Sequence, residues 1–210
     1  MRRGFSLVEA IVSITILLVG VMAVVSLGIA MVSQARFTNA QVVASQLARE
    51  GVEVVRAIRD GNWLEAEDGG AVSWNDGLSV GTDYSAVAEW DSGLSTWTVD
   101  FDAIDFGNCV TGFDCTRMYS NNPTFEFAQF ASVPPASWKD TEYQRLMRLF
   151  PICRSLVDET IETVLIADGT TCVPGSEEQV GIDVQVEVRW EEKGISRSTT
   201  VEEYIYDWKY

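Results

Sequence analysis

Apolar residues run almost unbroken through residues 5–32, FSLVEAIVSITILLVGVMAVVSLGIAMV, where the only ionisable side chain is Glu9. At ~1.5 Å per residue a helix of this length reaches about 42 Å, more than the ~30 Å of bilayer hydrocarbon, so it can span a membrane. Beyond Val32 the pattern changes without stopping. Ala40, Val43, Leu47, Val54 or Val55 and Ile58 recur at three- and four-residue steps, and Gln34, Arg36, Asn39, Gln46, Arg49, Glu53 and Arg56 supply a polar face. No proline precedes Pro123, and Asp60-Gly61-Asn62 is the first turn signal. The pattern therefore predicts one helix of ~55 residues, apolar over 5–32 and amphipathic over 33–60.

From residue 70 the periodicity shortens to two. Trp97, Val99 and Phe101 alternate with Thr98 and Asp100, just after the turn signal Asp91-Ser92-Gly93. Residues 180–190 form the clearest strand, with Val180, Ile182, Val184, Val186, Val188 and Trp190 on one face. Asp183, Gln185, Glu187 and Arg189 take the other face. Glu191-Glu192-Lys193-Gly194 predicts a hairpin onto Ile195–Tyr206, and residues 145–152 and 160–166 are further strand candidates. Strands joined by short turns imply an antiparallel sheet whose apolar face needs a cover, which the stripe on residues 40–58 can supply. The expected fold class is α+β: one long N-terminal helix, half membrane-spanning and half amphipathic, packed on a C-terminal antiparallel β-sheet within residues 61–210.

Charge narrows the function. The 210 residues carry 15 basic and 31 acidic side chains, net −16, so no general basic footprint exists and no nucleic-acid partner is expected. Met1-Arg2-Arg3 precedes the apolar run, which by the positive-inside tendency keeps the N-terminus cytoplasmic and sends the remainder outward. Histidine is absent, as are Gly-x-Ser-x-Gly and P-loop motifs, so no enzyme, catalytic residue, metal site or cofactor is expected. The acidic runs Asp60, Asn62, Glu65, Glu67, Asp68 and Asp100, Asp102, Asp105 offer oxygen ligands for calcium, but neither matches an EF-hand spacing. Trp63, Trp74 and Trp138 are candidates for packing or for an adhesive surface. Cys109, Cys115, Cys153 and Cys172 contain no C-x-x-C pair, and an even count beyond the apolar segment fits disulfides in an oxidising compartment. Of three possible pairings, the near pair Cys109–Cys115 and a fold-back pair Cys153–Cys172 around strand 160–166 are favoured.

The apolar run by itself fits a secretory signal peptide, a plain signal anchor or a buried core helix. It is about twice as long as the usual ~7–15-residue apolar region of a signal peptide, although Gly28-Ile29-Ala30 mimics a cleavage site before Met31. None of these readings accounts for Glu9, because a carboxylate at mid-membrane costs on the order of 2–3 kcal/mol even on lenient scales.

Arg3-Gly4-Phe5-Ser6-Leu7-Val8-Glu9 resembles the leader and first mature residues of type IV prepilins and pseudopilins. That family pattern is a short basic leader ending in glycine, a hydrophobic first mature residue, and glutamate at the fifth mature position. The resemblance implies a leader of residues 1–4, cleavage by a prepilin peptidase between Gly4 and Phe5, N-methylation of Phe5, and a role for Glu9 in setting subunit register. Ala48-Arg49-Glu50-Gly51-Val52-Glu53-Val54-Val55-Arg56, followed by Arg59-Asp60, is similar to helix ends of minor pilins of the pilus-modification type. Many relatives carry a proline in the membrane half of the helix, whereas this chain has only Gly20 and Gly28 there.

The function so implied is that of a structural subunit, a minor pilin by its large domain and long loops, in a type IV pilus. The implied partners are other pilin subunits, the prepilin peptidase, the assembly platform and ATPase machinery, and the membrane. The implied location is the inner membrane, single-pass with the N-terminus inside, and then an extracellular filament. The alternatives are a pseudopilin of a type II secretion system and a membrane-anchored extracellular binding protein that does not polymerise.

Overall fold

The computed structural model describes residues 7–78, 84–91, 96–101, 103–121, 126–130, 132–157, 161–162 and 172–207. The chain divides into two compact units, residues 1–42 and 43–210. One helix, α1 (Leu7–Glu67), supplies the described part of the first unit and the first element of the second.

The helix does not stop at Asp60-Gly61-Asn62, where the sequence carries its first turn signal. The backbone stays helical there because the polar side chain is used elsewhere: Asn62 Nδ2 donates to the carbonyls of Trp74 at 3.2 Å and Asp76 at 2.8 Å. Termination falls at Gly69-Gly70. Gly69 has φ +92°, a left-handed conformation that glycine adopts without a Cβ penalty. The Gly70 amide donates to Glu65 O at 2.9 Å and the Gly69 amide to Ala66 O at 3.2 Å, the paired bonds of a Schellman cap.

In the second unit the strands are β1 (Ser85–Asp91), β2 (Thr96–Asp100), β3 (Ala103–Asp105), β4 (Asn108–Cys109) and β5 (Arg117–Asn121). They continue with β6 (Glu126–Ala128), β7 (Trp138–Ser155), β8 (Ile161–Glu162), β9 (Glu177–Glu192) and β10 (Ile195–Tyr206). The main sheet runs β10-β9-β7-β1-β2, antiparallel throughout. The long strand β7 has β9 along one edge and shares the other among β5, β1 and β8. The predicted strand 145–152 is thus the middle of an 18-residue element. Of the predicted strand 160–166, only Ile161–Glu162 lies within the described residues. The predicted hairpin joins β9 to β10 with Glu192 opposite Ile195. Its two linking residues, Lys193 and Gly194, both have positive φ, as a type I′ turn requires.

Alternation decides which face is which. Ile182, Val184, Val186, Val188 and Trp190 of β9 are buried together with Arg145, Met147 and Leu149 of β7, against the buried helix residues Ala44, Leu47, Ala48, Val52 and Val55. This is the expected helix-on-sheet core. The opposite face is less open than its polar sequence implies. The β3–β4 ribbon brings Ala103, Phe106 and the Cys109–Cys115 pair against Val87 and Leu146, a second small core. Asp183, opposite Phe150 and Tyr204 on that face, is only 1% exposed.

Candidate functional site

The first feature to explain is the apolar half of α1. Seventeen large apolar side chains from Leu7 to Val32 are exposed. An 18-residue window of this helix has mean hydropathy 2.7 and none of it is buried within the chain, so the helix is long and apolar enough to cross a membrane. A soluble monomer rarely exposes a contiguous apolar patch beyond about 300–600 Å², so a covering of lipid or of other chains is required. The helix is suited to such surroundings because its backbone groups bond internally. Its hydroxyls follow suit: Ser13 Oγ donates to Glu9 O and Thr15 Oγ1 to Ile11 O, each at 2.8 Å.

Glu9 sits in the first described turn and is exposed. A carboxylate there complements the positive end of the helix dipole. Gly4 and Phe5, the candidate cleavage and methylation residues, lie outside the described residues. Gly20 and Gly28 leave the helix unbroken.

The second feature is the seam by which residues 43–67 of the helix are fixed to the sheet. Gly51 makes close approach possible, since a Cβ placed on it would lie 2.9 Å from Val186 Cγ1 and 3.3 Å from Met147 Sδ. Beside it Arg145 is fully buried on β7. Its Nη1 donates to Leu47 O at 3.2 Å and to Glu50 Oε1 at 3.4 Å, and its Nε donates to Gln129 Oε1 at 2.8 Å. Nη2 is buried without a hydrogen-bond partner. Gln129 is itself buried, and its Nε2 donates to the carbonyls of Arg145 at 2.7 Å and Thr116 at 3.0 Å. Burial pushes the Arg145 guanidinium below its ordinary pKa, while the Glu50 carboxylate acts in the opposite direction. At the far end of the seam Arg56 pairs with Glu53 and with Glu203 of β10, and Arg59 Nη1 donates to Tyr206 O at 3.1 Å.

The cysteines are joined as Cys109–Cys115 and Cys153–Cys172. The one grouping with metal-ligand spacing among the described residues, Cys153, Cys172 and Glu177, is taken by that second disulfide, and Glu177 Oε2 accepts from the Val173 amide at 2.8 Å. In the acidic runs Asp60 accepts from Arg59 Nε at 2.8 Å, and Asp105 Oδ1 accepts from the Phe106 amide at 2.8 Å. Asp102 lies outside the described residues. Trp63, Trp74 and Trp138 are each half-buried, none being a fully exposed platform.

Sequence reasoning did not find Arg145, Gln129 or the packing role of Gly51. A glycine on an apolar helical stripe was the one available signal, pointing to close packing. Compared with protein-family models, curated proteins and solved structures, the chain has no significant match in any of the three.

Proposed function

We propose that this chain is the precursor of a structural subunit of a type IV pilus or a closely related filament, a minor pilin rather than an enzyme. The observation that carries this reading is the run of exposed apolar side chains from Leu7 to Val32 on the same helix that anchors a disulfide-stapled α+β domain. Before assembly lipid covers that surface, with the N-terminus inside the cytoplasmic membrane and the domain outside. After assembly the equivalent helices of neighbouring subunits cover it, so one segment serves as anchor and as filament core. The partners are therefore other pilin subunits, a prepilin peptidase, and an assembly platform with its ATPase.

Glu9 supplies the selectivity that apolar packing lacks. Cleavage after Gly4 creates a cationic amine at Phe5, four residues before Glu9 and one helical turn away. In the lone subunit the two partly neutralise each other. In a filament, Glu9 meets the amine of a neighbour among apolar helices, where stranding one partner of a buried pair costs about 3–5 kcal/mol. The penalty recurs at each misaligned contact and so selects axial register. Expressed in the native host, Glu9→Ala is expected to insert, be processed and fold, yet be depleted from sheared surface filaments. Wild-type incorporation at equal expression would refute this mechanism.

A further inference from the structure

The chain contains four Asp-Gly steps, Asp60-Gly61, Asp68-Gly69, Asp76-Gly77 and Asp168-Gly169, the last outside the described residues. At such a step the glycine nitrogen can reach the aspartate Cγ, because no Cβ on the glycine hinders the approach. The fold treats the three described steps differently. Gly61 lies inside α1, where its amide belongs to the helical hydrogen-bond ladder, and the Asp60 carboxylate accepts from Arg59 Nε at 2.8 Å. The Gly69 amide is committed to Ala66 O at 3.2 Å in the helix cap. Gly77 sits in the turn that follows the helix, exposed, with φ +72° and nothing within 4 Å of where a Cβ would lie. The amides on either side of it are bonded, Asp76 N to Ser73 O and Leu78 N to Asn75 O, each at 3.0 Å. Among the described residues the Gly77 amide donates to no acceptor and the Asp76 carboxyl accepts from no donor. Asn62 Nδ2 donates at 2.8 Å to Asp76 O, the carbonyl of the same peptide unit as the Gly77 amide. A donor on that carbonyl polarises the unit and makes its N–H more acidic.

We propose that Asp76-Gly77 is a site of spontaneous covalent modification, at which Asp76 converts to isoaspartate while hydrogen bonding protects Asp60 and Asp68. The Gly77 nitrogen, its proton lost to solvent, attacks Cγ of the Asp76 carboxyl. The N–Cγ bond forms, the Cγ–OH bond breaks and water leaves. Water then adds to the main-chain carbonyl carbon of the cyclic imide, and the bond from that carbon to the Gly77 nitrogen breaks as the nitrogen takes up a proton. A carboxylate is regenerated, so mass and charge are unchanged, and nothing is oxidised or reduced. The main chain now runs through the former side chain and is one carbon longer between residues 76 and 77. This step falls in the strap that ties the end of α1 to the sheet. Asn62 grips it at Trp74 O and Asp76 O, Asn75 Nδ2 donates to Gln179 Oε1 at 3.1 Å, and Leu78 is buried. Isomerisation lengthens the strap between the Asn62 contact and Leu78, so the tie loosens slowly as the chain ages. The assignment is independent of filament assembly, since all of these residues belong to the second compact unit.

The test is prolonged warm incubation of the full chain in detergent micelles at neutral pH. Peptide mapping with electron-transfer fragmentation then distinguishes isoaspartate from aspartate at equal mass. Isoaspartate should accumulate at residue 76 about tenfold faster than at residues 60 and 68, whose following amides must first leave their hydrogen bonds. In urea, where the fold no longer separates them, the three rates should converge. Asp76→Glu, which would need a six-membered imide, should abolish the signal at that step with the thermal midpoint retained. Amide hydrogen exchange on the folded chain gives a second reading that needs no variant: the Gly77 amide should exchange at close to the unprotected rate and the Gly61 amide far more slowly. Absence of isoaspartate at residue 76, equal accumulation at residue 60 or 68 in the folded chain, or a protected Gly77 amide would each overturn the assignment.

Discussion

Arg145 on β7 donates through Nη1 to the main-chain carbonyl of Leu47 in the middle of α1, 3.2 Å away. An interior helix carbonyl is ordinarily committed to the amide four residues on and shielded by that residue's side chain. Four residues after Leu47 stands Gly51, which has no side chain to block the guanidinium. One glycine therefore serves both features of the seam, letting the helix approach Val186 and leaving a carbonyl open to a buried cation.

The shortest bond to that cation is the one from Nε to Gln129. Gln129→Leu leaves that buried Nε–H without an acceptor, with only Leu47 O and Glu50 still holding the guanidinium, and should destabilise the domain by about 1–3 kcal/mol. Arg145→Met removes the charge itself, fills most of the volume and should cost less. The double variant should recover part of the Gln129→Leu loss. Denaturant midpoints of the three variants check this ordering, and a larger loss from Arg145→Met than from Gln129→Leu would contradict it.

Gly51 and Gly61 should respond oppositely to alanine. Nothing lies within 4 Å of a Cβ at Gly61, so Gly61→Ala should gain up to about 1 kcal/mol in helix propensity. At Gly51 the same methyl meets Val186 Cγ1 at 2.9 Å on a stiff β-branched side chain. Overpacking of this kind costs about 1–3 kcal/mol, and the shorter side chain of Val186→Ala should relieve it. Thermal midpoints of the two single variants and of Gly51→Ala with Val186→Ala provide the comparison.

These residues mark how far the sequence could be read. Period two in residues 180–190 and the Lys193-Gly194 turn were legible because a strand with one face on a core must alternate, and a two-residue turn needs positive φ. The apolar run and its Glu9 were legible because the cost of a carboxylate in hydrocarbon stands out without coordinates. Arg145 was not legible. In Arg145-Leu146-Met147-Arg148-Leu149-Phe150 each face of the strand receives an arginine and apolar residues, so alternation does not tell which cation is buried. The helix end was misjudged because Asp60-Gly61-Asn62 is a turn signal only when its polar side chains bond locally, and Asn62 bonds instead to the chain at Trp74 and Asp76. The cleft lined by Trp90, Trp97, Phe130 and Trp138 was not legible either, because sheet order rather than local pattern brings these residues together.

The disulfides should contribute unequally. Their sequence separations are 6 and 19 residues, which in the chain-entropy treatment correspond to about 2 and about 3 kcal/mol. Replacing Cys153 and Cys172 by alanine should thus lower the denaturation midpoint more than replacing Cys109 and Cys115, apart from packing lost at the buried Cys109 and Cys115. Peptide mapping of non-reduced protein should recover the two pairs as separate cross-linked species.

Asp183 introduces a pH dependence. Burial raises its carboxyl pKa, the nearby Glu202 adds to the rise, and the hydrogen bond from Gln185 partly offsets it. A raised folded-state pKa means the folded chain holds the proton more tightly. The stabilisation is complete below the unfolded value of about 3.9 and is lost as pH climbs through the folded one. Asp183→Asn stays neutral throughout, so it should be more stable than the parent at pH 7, with the gain vanishing below pH 4. Urea titrations at the two pH values read the difference, and equal effects at both would count against a buried ionised carboxylate.

If the apolar helix enters a filament after a specific cut, the N-terminus of the chain purified from its own host carries the chemical mark of that cut. Intact mass with N-terminal fragmentation should show a chain that begins at Phe5, lacks residues 1–4 and carries an N-methyl group on Phe5. A chain that retains Met1, or one that begins near Met31 after removal of the whole apolar segment, would contradict it.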